Sequence, residues 1–208
     1  MIKSYIIYLP AYSQSCIMAE TALNTGRQHS WNVELFKGVN GATVSVDDMS
    51  TKWGLKINSA NRKCQKQMVT RAGVRGCFLS HWLLWHRCQD LDQPIGIFEH
   101  DVEFLKPYTV VNQFTDVLKL VEGFEEKRPM PAGVWYEGTR GYLITPTGAK
   151  KLINWVIENG CLPSDTAIGK DVVDIQLNFD QCVHLSQHHC NKNDKHTNSF
   201  TWNLESMK

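Results

Sequence analysis

The sequence predicts an α/β fold, a mostly parallel central sheet flanked by helices, in a single domain over residues 1–208. Three observations carry that expectation. A strand–helix–strand pattern opens the chain, and a βαβ unit implies parallel pairing. A short apolar run, Ile95, Ile97 and Phe98, is entered from Pro94 and ends in Glu99, His100, Asp101 and Glu103. That is the pattern of a buried strand whose carboxyl end meets a ligand site. Between the two, Phe78, Leu79, Trp82, Leu83 and Trp85 recur at helical spacings, the apolar stripe of a core helix.

The first strand runs from Tyr5 to Leu9 and is stopped by Pro10. Ser13 or Ser15 caps a helix through Leu23, with Gly26 just past its end. Val33 to Phe36 is the second strand, closed by the turn G-V-N-G at 38–41, a place for either a nucleotide base or a plain surface turn. A short helix follows over Val46–Trp53, then a polar loop with Asn58, Asn61, Lys63, Lys66 and Gln67. A loop of that length suits a lid or a disordered link. Downstream come an amphipathic helix over Thr109–Val121, a charged surface loop over Glu122–Pro131, and strands at Val134–Tyr136 and Tyr142–Thr145. A helix then opens at Pro146, spans Thr147–Glu158 and ends at Gly160.

Composition narrows the function classes. The net charge is +1 with no basic block, which speaks against nucleic acid. No apolar segment reaches the length of a membrane span, and the first residues are too short for a signal-peptide core, so a cytoplasmic setting is expected. The seven cysteines are scattered and contain no C-x-x-C pair. Their spacing therefore suggests reduced thiols rather than a disulfide framework or a structural zinc motif.

Two stretches carry chemistry. Side chains alternate along a strand, so Glu99, Asp101 and Glu103 would share one face. Three carboxylates there suit Mg²⁺ or Mn²⁺, although an acidic surface turn has the same composition. Upstream, Gly73 and Gly76 stand at a helix start with Arg71 and Arg75 interleaved. Glycine lets an anion approach a helix N-terminus and arginine adds a charged fork, which suits a diphosphate. Ser80 and His81 follow in the same helix, either as part of that site or as buried structural residues.

The helix G-C-F-L-S-H-W-L-L-W at 76–85, the strand I-F-E-H-D-V-E-F at 97–104 and the segment G-T-R-G-Y-L-I-T-P-T-G-A-K-K-L at 138–152 together resemble glycosyltransferase family 25. That family includes bacterial lipooligosaccharide galactosyltransferases and collagen galactosyltransferases. The three motifs lie in family order, and Y-I-I-Y-L-P and G-V-N-G match its first strand and Gly-containing turn more weakly. The resemblance implies a GT-A-like, Rossmann-type fold. It also implies metal-dependent, inverting transfer of a hexose, galactose or glucose, from a UDP-sugar to a hydroxyl of a glycan or other hydroxylated acceptor.

By the resemblance Asp101 is the metal ligand for Mn²⁺ or Mg²⁺, with Glu103 beside it. A late histidine, His189 or its neighbour His188, closes the site from a tail that folds over from about residue 187. Donor contacts fall to Arg71, Arg75, Ser80, His81, Glu99, His100, Gly138 and Arg140. Asp165 is the candidate base, with Asp171 and Asp174 as competitors; Ser164 or Asp165 also serves as a helix cap. Two departures stand out. The arginine often found after the family's first strand is absent, and His100 replaces the middle acidic residue. An imidazole can hydrogen-bond a ribose hydroxyl or ligate the metal. The other functional readings are a catalytically silent nucleotide-sugar-binding protein, and a hydrolase using Ser80 and His81, which lacks the G-x-S-x-G elbow.

Overall fold

A computed structural model describes residues 1–108, 114–120, 138–178 and 182–185. The first strand, β1 (Lys3–Tyr8), leads into α1 (Ser13–Gln28) and β2 (Asn32–Lys37). Next come α2 (Val46–Trp53), α3 (Arg62–Thr70) and α4 (Ala72–Leu91). The strands β3 (Ile95–Glu99), β4 (Val102–Phe104), β5 (Val117–Lys119) and β6 (Gly141–Ile144) follow. The elements α5 (Pro146–Asn159), α6 (Ser164–Ala167), β7 (Ile175–Leu177) and β8 (Val183–Leu185) complete the order.

Six strands form one sheet in the order β2-β1-β3-β6-β5-β7. β1 pairs in parallel with β2 and β3, β5 pairs in parallel with β7, and β6 runs against both its neighbours. The fold is α/β with a mostly parallel sheet between helices, as the sequence predicts. β4 leaves this sheet and pairs antiparallel with β8 in a separate ribbon.

Alternation along the strands sorts the core into two layers. Tyr5, Ile7, Ile95, Ile97, Val117, Tyr142 and Ile144 point to the side occupied by the buried faces of α4 and α5. Ile6, Phe98, Leu118 and Leu143 point to the other side, against α1, Trp31 and Phe104. Strands buried on both faces need a continuous apolar sequence, which is how Y-I-I and I-G-I-F read. The stripe on α4 is core at Phe78, Leu79, Trp82 and Trp85, whereas Leu83 is only half-buried and its neighbour Leu84 is fully buried instead.

Several elements differ from expectation. α1 continues to Gln28, and Ser15 bonds outward by accepting from the Leu9 backbone N–H at 2.9 Å. The polar stretch read as a loop contains α3, capped by Asn61, which accepts from the N–H groups of Lys63 and Cys64. Only Cys64 and Met68 of that helix are buried, too few for its period to show. Residues 114–120 carry a strand where an amphipathic helix was expected. V-L-K-L is a short apolar run that fits either period, and its place between β6 and β7 decides for strand. The rest of the expected helix, apart from Val121 and residues 109–113, is thereby replaced; those residues, the 122–131 loop and the 134–136 strand lie outside the described residues.

The G-V-N-G turn after β2 seats directly on α4. Val39 donates its N–H to Ser80 Oγ at 2.9 Å, and Ser80 in turn donates to the Gly76 carbonyl at 2.7 Å. At Gly41 a Cβ would lie 1.7 Å from the Ala72 carbonyl oxygen, and at Gly76 a Cβ would lie 2.5 Å from that of Val39. Two glycines are thus required for backbone to meet backbone here.

Candidate active site

The carboxyl ends of β1 and β3, the turn after β2 and the first half of α4 enclose a cleft. Ile7, Leu9 and Val39 give it apolar walls, Gly41, Gly73 and Gly76 bring backbone to its surface, and Cys77, Ser80, His81, Glu99 and His100 supply polar groups. Ligands of open α/β sheets bind at this end of the strands.

At the floor of the cleft the side chains hold one another in place. His81 is fully buried, with Nδ1 2.8 Å from the Tyr142 hydroxyl, which also accepts from Trp85 Nε1 at 2.9 Å. Its other nitrogen, Nε2, faces Glu99 Oε1 at 3.7 Å. Glu99 Oε1 accepts from Thr139 Oγ1 at 2.7 Å, and Thr139 is 3.3 Å from Ser164 Oγ. Ser164 Oγ is also 3.3 Å from Cys77 Sγ. Burial acts to raise the Glu99 pKa, but His81, Thr139 and Arg140 outweigh it and hold the carboxyl well below its usual range.

The chain turns at His100 and Asp101 immediately after β3, and both side chains are buried. Burial, reinforced by the negative charge of Glu99, pushes the Asp101 pKa up to about 7; Arg140, with Nε 3.8 Å from Oδ2, works against the rise. The turn means that Glu99 and Glu103 do not continue along one strand. Glu103 lies on the β4–β8 ribbon opposite His184, its Oε2 3.5 Å from His184 Nε2. His188 and His189 lie outside the described residues.

The two arginines before α4 are placed differently from expectation. Arg75 donates to the carbonyls of Val44, Met68 and Val69 at 2.8–3.2 Å, closing the end of α3, and Arg71 precedes α4 at its N-cap. Neither contributes to the cleft lining. Arg140 is the arginine beside Asp101, in the turn just after Gly138, whose φ is +81°. Asp165 lies in the short α6, where its Oδ1 accepts from the Thr166 N–H at 2.9 Å. Its charge acts on Lys119 and on Cys77. Asp171 and Asp174 are solvent-exposed.

Sequence reasoning missed three members of this cluster, Cys77, Thr139 and Lys119. Cys77 had a signal, because it lies one turn before His81 on α4 and shares its face. Lys119 was hidden by the helical reading of its segment. On β5 it is buried, donates to the Gly138 carbonyl and feels the charges of Asp165 and Glu99. Burial lowers its pKa to about 8 from the ordinary 10.5.

Between those two values the folded protein binds fewer protons than the unfolded chain, so stability rises with pH across that window. Below about 8 the cost of the buried charge is fully present. Lys119→Met should therefore raise stability at pH 7 by about 1–3 kcal/mol and flatten the rise between pH 8 and 10. Urea unfolding across that range measures it, and a destabilised variant with the slope intact would refute the assignment.

A family model described as glycosyltransferase family 25 (LPS biosynthesis protein) matches residues 1–127. It takes in the Gly76–Trp85 helix and the strand ending in Glu99, and stops short of the 138–152 segment. A glycosyltransferase 25 family member from Aedes aegypti is 30% identical over 143 residues, 59% of this chain and 23% of that protein. The matched stretch thus spans less than a quarter of that relative's length. Among the described residues no helix is long and apolar enough to cross a membrane.

Proposed function

The chain belongs to glycosyltransferase family 25, and on that premise we propose that it transfers a hexose, galactose or glucose, from a UDP-sugar to a hydroxyl of a glycan or other hydroxylated acceptor, with inversion. The observation that supports this best is the cleft at the carboxyl ends of β1 and β3, with Glu99 and His100 in its lining and Asp101 next along the chain. Ile7, Leu9 and Val39 offer the base apolar walls, and His100 offers the ribose a hydrogen-bonding imidazole. Arg140, beside Asp101, takes the diphosphate role that the sequence suggested for Arg71 and Arg75.

The residues present fit a divalent cation. A buried carboxyl raised to about 7 by burial and a neighbouring carboxylate is a group that a hard cation relieves. Asp101 would hold Mn²⁺ or Mg²⁺, with Glu103 and His189 as the further candidate ligands. Such a cation supplies positive charge against a departing diphosphate. Asp165 accepts the proton of the attacking acceptor hydroxyl.

Calorimetry with UDP-, GDP- and CMP-sugars, with and without Mn²⁺, tests the donor, and UDP release across an acceptor library tests transfer. UDP-hexose binding that strengthens with Mn²⁺ is expected. Asp165→Asn should lower kcat by about 10²–10⁴-fold while leaving donor affinity unchanged. The absence of nucleotide-sugar binding would overturn the reading. Binding without turnover on any acceptor would favour the silent binding protein instead.

A further inference from the structure

We propose that Cys77, His81 and Glu99 form a three-ligand site for a borderline divalent cation of the Zn²⁺ type, with its fourth coordination position open to the cleft. The site uses none of the hard-cation candidates Asp101, Glu103 and His189 and does not depend on the glycosyltransferase reading. One ligand atom from each residue lies within 4.8 Å of the other two. The His81 Nε2 to Glu99 Oε1 distance of 3.7 Å already approaches the edge of a zinc tetrahedron, about 3.4 Å for bonds near 2.1 Å.

The donor set decides the metal. A thiolate, an imidazole and one carboxylate suit zinc, whereas Mg²⁺ and Mn²⁺ prefer oxygen. His81 Nε2 is buried and has no hydrogen-bond partner among the described residues, an orphan that a metal would satisfy. Each proposed ligand also has an outer partner fixing its direction. Tyr142 holds His81 through Nδ1, Thr139 holds Glu99, and Ser164 meets Cys77. Outer partners of this kind orient metal ligands. All three residues line the cleft; with Nδ1–H donated to Tyr142, the proton that His81 Nε2 directs at Glu99 leaves to solvent on metal binding and the Nε2 lone pair takes its place. Binding displaces the Cys77 thiol proton, which leaves to solvent, and the sulfur electron pair forms the metal bond.

Metal-free protein is titrated with Co²⁺, and Zn²⁺ is then competed against a chromogenic chelator. Expected are a thiolate-to-cobalt charge-transfer band, the strong visible bands of tetrahedral cobalt, and displacement of both by zinc. Cys77→Ser should remove the charge-transfer band, and Cys16→Ser should keep it. Thr139→Val, which removes only the hydroxyl holding Glu99, should weaken zinc by about tenfold to a hundredfold. Circular dichroism checks that each variant is folded, and Glu99→Gln replaces Cys77→Ser as the decisive variant if the latter is not. Failure of the wild-type protein to bind zinc, binding without a thiolate band, or a band that survives Cys77→Ser or Glu99→Gln would overturn the site.

Discussion

Asp101→Asn is expected to inactivate the protein and to stabilise it when metal-free. Transfer should fall by about 10²–10³-fold, the loss typical of removing one electrostatic stabiliser of a transition state. The stability effect has a separate origin. In the folded protein burial and Glu99 raise the Asp101 pKa to about 7 from its ordinary value of 3.8. Between those values the folded state keeps a proton that the unfolded chain has released, so wild-type stability falls as pH rises through the window. Above it the buried charge costs on the order of 4 kcal/mol, and asparagine does not carry that charge. Metal-free variant and wild type, unfolded in urea at pH 4 and pH 8, should differ little at the first and clearly at the second. Equal stability at both would show that Asp101 titrates as an ordinary carboxylate, and full transfer activity in the variant would remove it from the site.

Gly41→Ala should cost about 3 kcal/mol or more, at or above the top of the usual overpacking range. Its Cβ would enter the Ala72 carbonyl, and a helix carbonyl cannot swing aside as a side chain does. The turn after β2 must lift from α4, stretching the bond from Val39 N–H to Ser80. Because Val39 and Gly41 line the cleft, ligand affinity should fall together with the urea midpoint. A loss below about 1 kcal/mol would mean that the turn does not rest on α4.

The two-layer core was legible because burial on both faces writes uninterrupted apolar strands, and because α4 repeats large apolar residues at its own period. The segment around Lys119 was not, since three residues of strand hold too little period to exclude a helix. In the candidate site, Ser80, His81, Glu99 and His100 converge because one helix and one strand end supply all four. Cys77 shares the helix face of His81 one turn before it, but no cysteine spacing singles it out, and its nearness to Glu99 and Ser164 comes only with the fold. Arg75 shows the complementary limit. Sequence shows a cation near glycines, whereas the fold has already committed that cation to the carbonyls of α3.

The order of strands in the sheet also sets the order in which it can be completed during synthesis. β1, β2 and β3 all precede residue 100 and already pair with one another, so the parallel half can assemble early on the emerging chain. One of its two edges is β3, the strand that delivers Glu99, and that edge stays open until β6 at residues 141–144 inserts beside it. An uncovered edge strand invites pairing with other chains. Some forty residues of translation therefore separate the making of the strand that bears Glu99 from its protection, and through that interval the sheet edge carrying Glu99 is open to misassembly.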